Sequence, residues 1–203
     1  MGILPVFAAG AGGVCRLFAR GRQQPALLRL AVAGCLVFLW LPAAPAAGAP
    51  PARAYFSPNG GAERAIVAAL DGAAASIEVA MYAFTSRVLA KALLRARKRG
   101  VKIRVVLDGN DESDYSKGFY LLRKGIDLRY TRGRRRRGRQ ASYGLMHDKF
   151  AVIDHRRVLT GSYNWTASAE KYNYENLLVL DSRPLAAEYE REFDRIWQAS
   201  FRK

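Results

Sequence analysis

Cysteine is nearly absent from this 203-residue chain, and the two that occur, Cys15 and Cys35, both lie near the start. Beyond Cys35 there is no thiol, which excludes a disulfide framework, a thiolate nucleophile and Cys-ligated zinc from the rest of the chain. Histidine is equally sparse, with only His147 and His155. Acidic residues are missing from positions 1–54, which carry Arg16, Arg20, Arg22, Arg29 and Arg53 but no Asp or Glu. The chain shows no internal repeat. Glycine and proline are unremarkable and aromatics reach 11%, so collagen, coiled coil and wholesale disorder are excluded.

What remains is a half-apolar composition, enough for one α/β core with a modest appendage. The net charge is +16, and it is unevenly placed. Seven arginines fall between Arg129 and Arg139, and without them the region after residue 54 would be only weakly basic. A local patch of this kind points to a polyanion, either nucleic acid or an anionic membrane surface.

Residues 1–54 read as an export signal with an Ala/Pro-rich linker. Arginines precede an uncharged apolar run from Leu30 to Leu41, followed by Ala-x-Ala at Ala44–Ala46, Ala47–Ala49 and Ala52–Ala54. Pro50 disfavours the second of these sites. The alternative is an uncleaved N-terminal membrane anchor, for which the run is short against the roughly 20 residues of a span. Lipidation at Cys35 is disfavoured, because the strongest apolar stretch follows that residue.

From Tyr55 onward strands and helices alternate. The pattern predicts strands at Tyr55–Ser57, Ser76–Phe84, Val101–Leu107, Ile126–Tyr130, Leu145–Asp154, Val158–Thr160 and Glu175–Asp181. It predicts helices at Ala62–Leu70, at Val88–Arg99 with Val88, Leu89 and Leu93 inward, around Tyr115–Lys124, and from Pro184 onward. Such alternation implies a layered α/β domain with a mixed sheet flanked by helices over 55–203. The segment Thr131–Ser142, containing Arg134, Arg135, Arg136 and Arg137, reads as a mobile, solvated loop.

The chemistry concentrates in His147-Asp148-Lys149, Asp154, Gly161-Ser162-Tyr163-Asn164 and Glu175. On a strand His147 and Lys149 would point one way and Asp148 the other. An imidazole beside a fixed ammonium suits reaction at phosphorus: His supplies a nucleophilic nitrogen, while Lys149 and Asn164 hold the non-bridging oxygens. Glu175 is the carboxylate suited to orienting an imidazole through its other nitrogen. Each residue also has a bland reading. A single His is more often structural, Asp154 suits a hairpin turn, and Ser162 and Asn164 suit the turn after Gly161. His155 falls in the turn and reads as solvent-exposed.

Together these residues spell H-x-K-x4-D-x6-G-S-x-N, and the chain resembles the phospholipase D superfamily. The similarity continues through Ala80-Met81-Tyr82-Ala83-Phe84-Thr85 and Glu175-Asn176 and extends over residues 54–200. It implies a phospholipase D-like layered fold and a phosphodiesterase that uses neither metal nor cofactor. One motif's His attacks phosphorus to give a phosphohistidine, a second motif's His protonates the leaving oxygen, and water completes the hydrolysis. This chain carries one motif, so the resemblance implies a two-fold homodimer with the active site at its interface. It also assigns His147, Lys149, Asn164, Glu175, Ser162 and Asp154 to the site. Single-motif relatives divide between small exported bacterial endonucleases and a mitochondrial branch assigned to cardiolipin or RNA. Size, the export leader and the lack of a Cys/His-rich insert resemble the bacterial nucleases. Arg134–Arg137 would then contact a nucleic-acid backbone, or in the alternative anionic phospholipid. Tyr143, Tyr163, Trp165, Tyr172 and Tyr174 are candidates for base stacking, against the alternative of packing. A non-catalytic binding module is the third reading, and the complete set of polar site residues argues against it.

Overall fold

The structure, a computed structural model, describes residues 51–110, 116–137 and 142–202. Residues 1–50 of the expected leader, both cysteines, Tyr115 and Arg139 lie outside these residues. The elements in chain order are β1 (Ala52–Ser57), α1 (Ala62–Asp71), β2 (Ser76–Met81), α2 (Arg87–Lys98), β3 (Lys102–Asp108), α3 (Gly118–Arg123), β4 (Asp127–Thr131), β5 (Lys149–Ile153), β6 (Arg157–Gly161), α4 (Ala167–Lys171), β7 (Glu175–Asp181) and α5 (Arg183–Gln198). The strands form one seven-stranded sheet in the order β1-β7-β6-β5-β2-β3-β4. Strands β2, β3 and β4 run parallel, joined by helical crossovers, and the remaining neighbours pair antiparallel. The expected α/β class with a mixed sheet is what the chain adopts.

Alternation along β2 explains the layers. Ile77, Val79 and Met81 enter one core with Ile66 and Leu70 of α1 and Leu89 and Leu93 of α2. Ala80 faces the other way, into a core where Phe150, Val152 and Val158 meet Phe193, Ile196 and Trp197 of α5. Each fully buried side chain of this size contributes about 1.5–3 kcal/mol, so both helix layers are held mainly by apolar burial. Glu78 also lies on the α5 side, hydrogen-bonded to Arg104, whose guanidinium covers the rings of Phe193 and Trp197. Burial pushes the Glu78 carboxyl above its ordinary range despite that partner.

Several elements differ from the sequence expectation. Strand β1 begins at Ala52, so the expected boundary after residue 54 falls inside a paired strand: Ala52, Arg53 and Ala54 lie opposite Leu180, Val179 and Leu178. Cleavage after Ala54 would remove half of β1. Strand β2 stops at Met81 rather than Phe84, and β5 starts at Lys149 rather than Leu145. Leu89 and Leu93 are buried as expected, but Val88, expected inward with them, is 48% exposed at the start of α2, just after the capping residue Ser86. Helix α3 is shorter than expected, and the short α4, capped by Thr166, had no apolar stripe to announce it.

The arginine segment is also different from its expectation. Gly133 N–H donates to the Gly144 carbonyl, Gly144 N–H to Arg134 and Arg136 N–H to Ser142. Residues 133–136 and 142–144 therefore form a two-stranded ribbon rather than an unpaired loop, with Arg135 opposite Tyr143. Gly133 permits the close approach, since a Cβ there would lie 2.9 Å from Gly144 Cα. Two of the seven arginines are committed to the body of the domain. Arg129 lies 4.2 Å from the Trp197 ring centroid, and Arg132 lies over Tyr143 and Phe201.

Candidate active site

The site gathers at the end of the sheet where β2 and β3 finish and β5 begins. Tyr82, just past β2, donates its backbone N–H to the Asp148 carbonyl and so extends the β2–β5 pairing. Its ring centroid is 4.7 Å from that of His147 and 5.0 Å from Lys149 Nζ. Lys149 Nζ donates to the His147 carbonyl at 2.7 Å. His147 and Lys149 are thus gathered on one aromatic ring, although His147 precedes the strand that was expected to contain it. His147 is exposed and Lys149 is half-buried. Burial lowers the Lys149 pKa from its ordinary value, and the negative charges of Asp148 and Glu175 oppose that shift.

Asp108 anchors the approach to this motif. It is fully buried at the end of β3 and accepts from Met146 N–H at 2.6 Å and Asn110 N–H at 2.7 Å. Sequence reasoning saw only the end of a strand there. The available signal was a carboxylate directly after an apolar parallel strand, at the strand end where sites in open α/β sheets form.

Gly161 closes β6 with φ 147°, and a Cβ there would fall 2.2 Å from the Asn176 carbonyl oxygen. That requirement brings Ser162 beside β7. Ser162 Oγ donates to Glu175 Oε2 at 2.5 Å and accepts from Asn176 N–H at 3.1 Å, and Asn173 Nδ2 donates to Glu175 Oε1. Glu175 was expected to orient an imidazole; within one chain its partners are Ser162 and Asn173. Asn164 Oδ1 accepts from Ala83 N–H at 3.3 Å, which ties its loop to the segment carrying Tyr82. The aromatics divide. Tyr163 and Trp165 are buried, Tyr163 donating to Glu170 and Trp165 packing edge-on against Phe84, whereas Tyr143, Tyr172 and Tyr174 are exposed.

Asp154 does not join the site. It sits at the far end of β5, roughly 20 Å of extended chain from His147. Its carboxylate accepts from the backbone N–H groups of Ala74, Ala75 and Ser76. The expectation of a catalytic Asp154 is therefore corrected: it fastens the β5–β6 turn to the start of β2. His155 is at the same far end, with Nδ1 on Glu190 and Nε2 near Ser76 Oγ.

Asp148 turns toward α5. Burial raises its pKa, with Glu192 adding to the rise and Lys149, Arg195 and His147 opposing it. A groove of about 550 Å³ joins His147, Asp148 and Arg195 to Arg132 and Arg134 at the base of the ribbon. Among the described residues no group of three or more His, Cys, Asp or Glu side chains is placed to hold a metal ion.

The family described as "Cardiolipin synthase, PLD-like domain" matches residues 66–197. The chain belongs to the phospholipase D-like family. It is 38% identical over 124 residues to a mitochondrial cardiolipin hydrolase of Xenopus tropicalis, covering 61% of this chain and 55% of the relative. It is 36% identical over 135 residues to a phospholipase D of Rickettsia felis, covering 66% and 63%. The chain thus spans little more than half the length of the first of these curated relatives. Among solved structures it resembles the phospholipase D family member Nuc from Salmonella typhimurium, at 31% identity and TM-score 0.67, covering 76% of this chain and 99% of Nuc. NucT from Helicobacter pylori is similar at 25% identity and TM-score 0.70, covering 75% and 99%. This phospholipase D-like domain therefore corresponds to nearly the whole of two small solved proteins and to part of longer curated ones.

Proposed function

We propose that this phospholipase D-like chain is a phosphodiester hydrolase working through a phosphohistidine on His147, in a homodimer, with nucleic acid as substrate. One observation carries the reading: His147 and Lys149 converge on Tyr82, and the chain's other imidazole, His155, lies at the opposite end of β5. A two-step displacement needs a nucleophile and an acid together, and one chain offers a single imidazole at this place. A two-fold axis beside His147 supplies the second. His147 Nε2 attacks phosphorus and the P–O bond to the leaving group breaks, the leaving oxygen taking a proton from the imidazolium of His147 of the partner subunit. That imidazole then takes a proton from water, whose oxygen attacks the phosphohistidine, and the P–N bond breaks to release the phosphate product. Lys149 and Asn164 stabilise the charge on the non-bridging oxygens. Glu175, held by Ser162, orients an imidazole once the dimer closes. Exposed Phe56, Tyr172 and Tyr174, grouped around Glu175 by the β1–β7 register, supply apolar area for that interface.

Nucleic acid is favoured by the groove that continues from His147 to the ribbon, whose Arg134–Arg137 are exposed. Phospholipid is the second reading, supported by relatives bearing the names phospholipase D and cardiolipin hydrolase. The arginine-flanked apolar run Leu30–Leu41 supports export of the domain. The test is the purified full-length chain in EDTA, offered plasmid DNA, RNA and cardiolipin vesicles side by side. Cleavage of DNA or RNA is expected. Hydrolysis of lipid alone would transfer the assignment to a phospholipase, and loss of all activity in EDTA with recovery by a divalent ion would refute the metal-free mechanism. Light scattering is expected to give a dimer, and a fully active monomer would remove the two-fold site.

A further inference from the structure

Between β6 and α4 the chain alternates: Ser162 is exposed and Asn164 half-buried, while Tyr163 and Trp165 are each only 2% exposed. The two buried residues begin and end a chain of hydrogen bonds beneath the site. Tyr163 Oη donates to Glu170 Oε2 at 2.8 Å. The same oxygen accepts the Glu63 backbone N–H at 3.2 Å, which ties α4 to the first turn of α1. Glu63 Oε1 in turn accepts from Ser86 Oγ at 2.7 Å, and Ser86 caps α2. The N–H groups of Thr85 and Ser86 both donate to the Trp165 carbonyl at 2.9 Å. Trp165 N–H donates to the Ala83 carbonyl at 3.1 Å, and Ala83 N–H to Asn164 Oδ1 at 3.3 Å. The circuit that leaves from Tyr163 thus returns to Asn164, the next residue. Burial first, and then the bond to Glu170, pushes the Tyr163 hydroxyl far above the ordinary tyrosine range, so it remains a donor.

We propose that Tyr163 and Glu170 are positioning residues: through this circuit they set where Asn164 stands relative to Lys149 and His147. Residues 162–165 lie between the end of β6 and the start of α4, outside any named strand, so a ladder does not fix them. Asn164 commits Oδ1 to Ala83, which leaves Nδ2 to donate to a non-bridging oxygen. The aim of that donor therefore depends on how the residues on either side of it are seated. An ionised carboxylate is a suitable anchor, because its hydrogen bonds are stronger than those of a neutral acceptor. Glu170 receives two donors, one from the loop and one from α1, and so fixes the loop to the body of the domain. Misplacing a reacting or stabilising group by about 1 Å can cost about a hundredfold in rate. What the loop acts on rests on the phosphodiesterase reading above; how the loop is held does not.

The test compares full-length chains carrying Tyr163→Phe, Glu170→Ala or Glu170→Gln, each with and without Asn164→Ala, on bis(p-nitrophenyl) phosphate. Tyr163→Phe keeps the buried ring and removes only the donor. It and Glu170→Ala should each lower kcat per folded molecule about tenfold while KM changes less than about twofold, because the loss falls on charge that develops in the transition state. Glu170→Gln, whose amide oxygen still accepts from Tyr163 and Glu63, should stay within about threefold of wild type. In the Asn164→Ala background Tyr163→Phe should lower kcat no further, since its effect passes through that side chain. Calorimetric binding of orthovanadate, which offers the same oxygens without turnover, should weaken in Tyr163→Phe and show the same dependence on Asn164. A lowered unfolding midpoint with unchanged kcat and vanadate affinity would overturn the proposal, and so would equal losses with and without Asn164. Should the wild-type chain hydrolyse no phosphodiester while vanadate binding shows the Asn164-dependent loss, the positioning stands and the hydrolase reading falls.

Discussion

Replacing Asp154 separates a structural role from a catalytic one. The residue occupies the D of the H-x-K-x4-D pattern, yet its carboxylate spans the backbone N–H groups of Ala74, Ala75 and Ser76 at 2.9, 2.7 and 2.9 Å. A hydrogen bond to a charged acceptor contributes about 1.5–3 kcal/mol, and a turn partly open to water lowers that to about 1 kcal/mol each. Asp154 also holds φ 51°, a left-handed conformation that Asp and Asn tolerate better than Ala. Asp154→Ala should therefore cost about 3–4 kcal/mol, including about 1 kcal/mol of backbone strain. Asp154→Asn keeps one oxygen for Ala75 and Ser76 and tolerates the backbone, so it should cost about 1–2 kcal/mol. Burial would raise the Asp154 pKa, but the three donors together outweigh it and hold the carboxyl below its ordinary range. The stability it supplies is then complete above the unfolded carboxyl pKa of about 3.9 and is lost as pH falls through the lower folded value. Urea unfolding at neutral pH and near pH 3, together with specific activity per folded molecule, measures both effects. Activity of folded Asp154→Asn should stay within a few-fold of wild type. A variant as stable as wild type with activity reduced a hundredfold would show that Asp154 acts in the reaction and would refute this account.

Other outcomes follow from the same geometry. His147→Ala should abolish turnover without changing the unfolding midpoint, since the side chain is exposed and its ring contact is with Tyr82 alone among the ring contacts described; turnover within tenfold of wild type would refute the nucleophile. Because burial lowers the Lys149 pKa and the ammonium is the working form, kcat should decline as pH rises at values below the ordinary lysine pKa of about 10.4, and Lys149→Arg should remove that limb of the profile. Asp108→Ala leaves Met146 and Asn110 N–H groups without their acceptor and should cost about 2–4 kcal/mol by denaturant titration, with activity falling more than tenfold as the approach to His147 loosens. Replacing Arg134–Arg137 by Ser should leave turnover on a minimal phosphodiester nearly unchanged while reducing the salt slope for long polyanions, by up to about one per lost contact. An unchanged slope would make the ribbon a solvated surface.

Much of this protein was legible along the chain because the signals are local. The run ENLLVLD sets β7 at the expected Glu175–Asp181, and the stripe Leu185, Tyr189, Phe193, Ile196, Trp197 marks the helix on the second face of the sheet. The motif spacing named His147, Lys149, Ser162, Asn164 and Glu175, and the family match agrees with the resemblance those residues carried. Tertiary structure decided what depends on partners distant in sequence. Asp154 looks the same as a catalytic carboxylate until the start of β2 places three backbone donors on it, about 80 residues away in the chain. Tyr82 and Asp108 acquire their positions only when β2 and β3 finish at the edge where β5 begins. The arginine run reads as a loop because polar, glycine-punctuated sequence carries no alternation, yet its backbone pairs across to 142–144. Spacing along the chain sets which residue types are available for chemistry, and register across the sheet sets which of them meet.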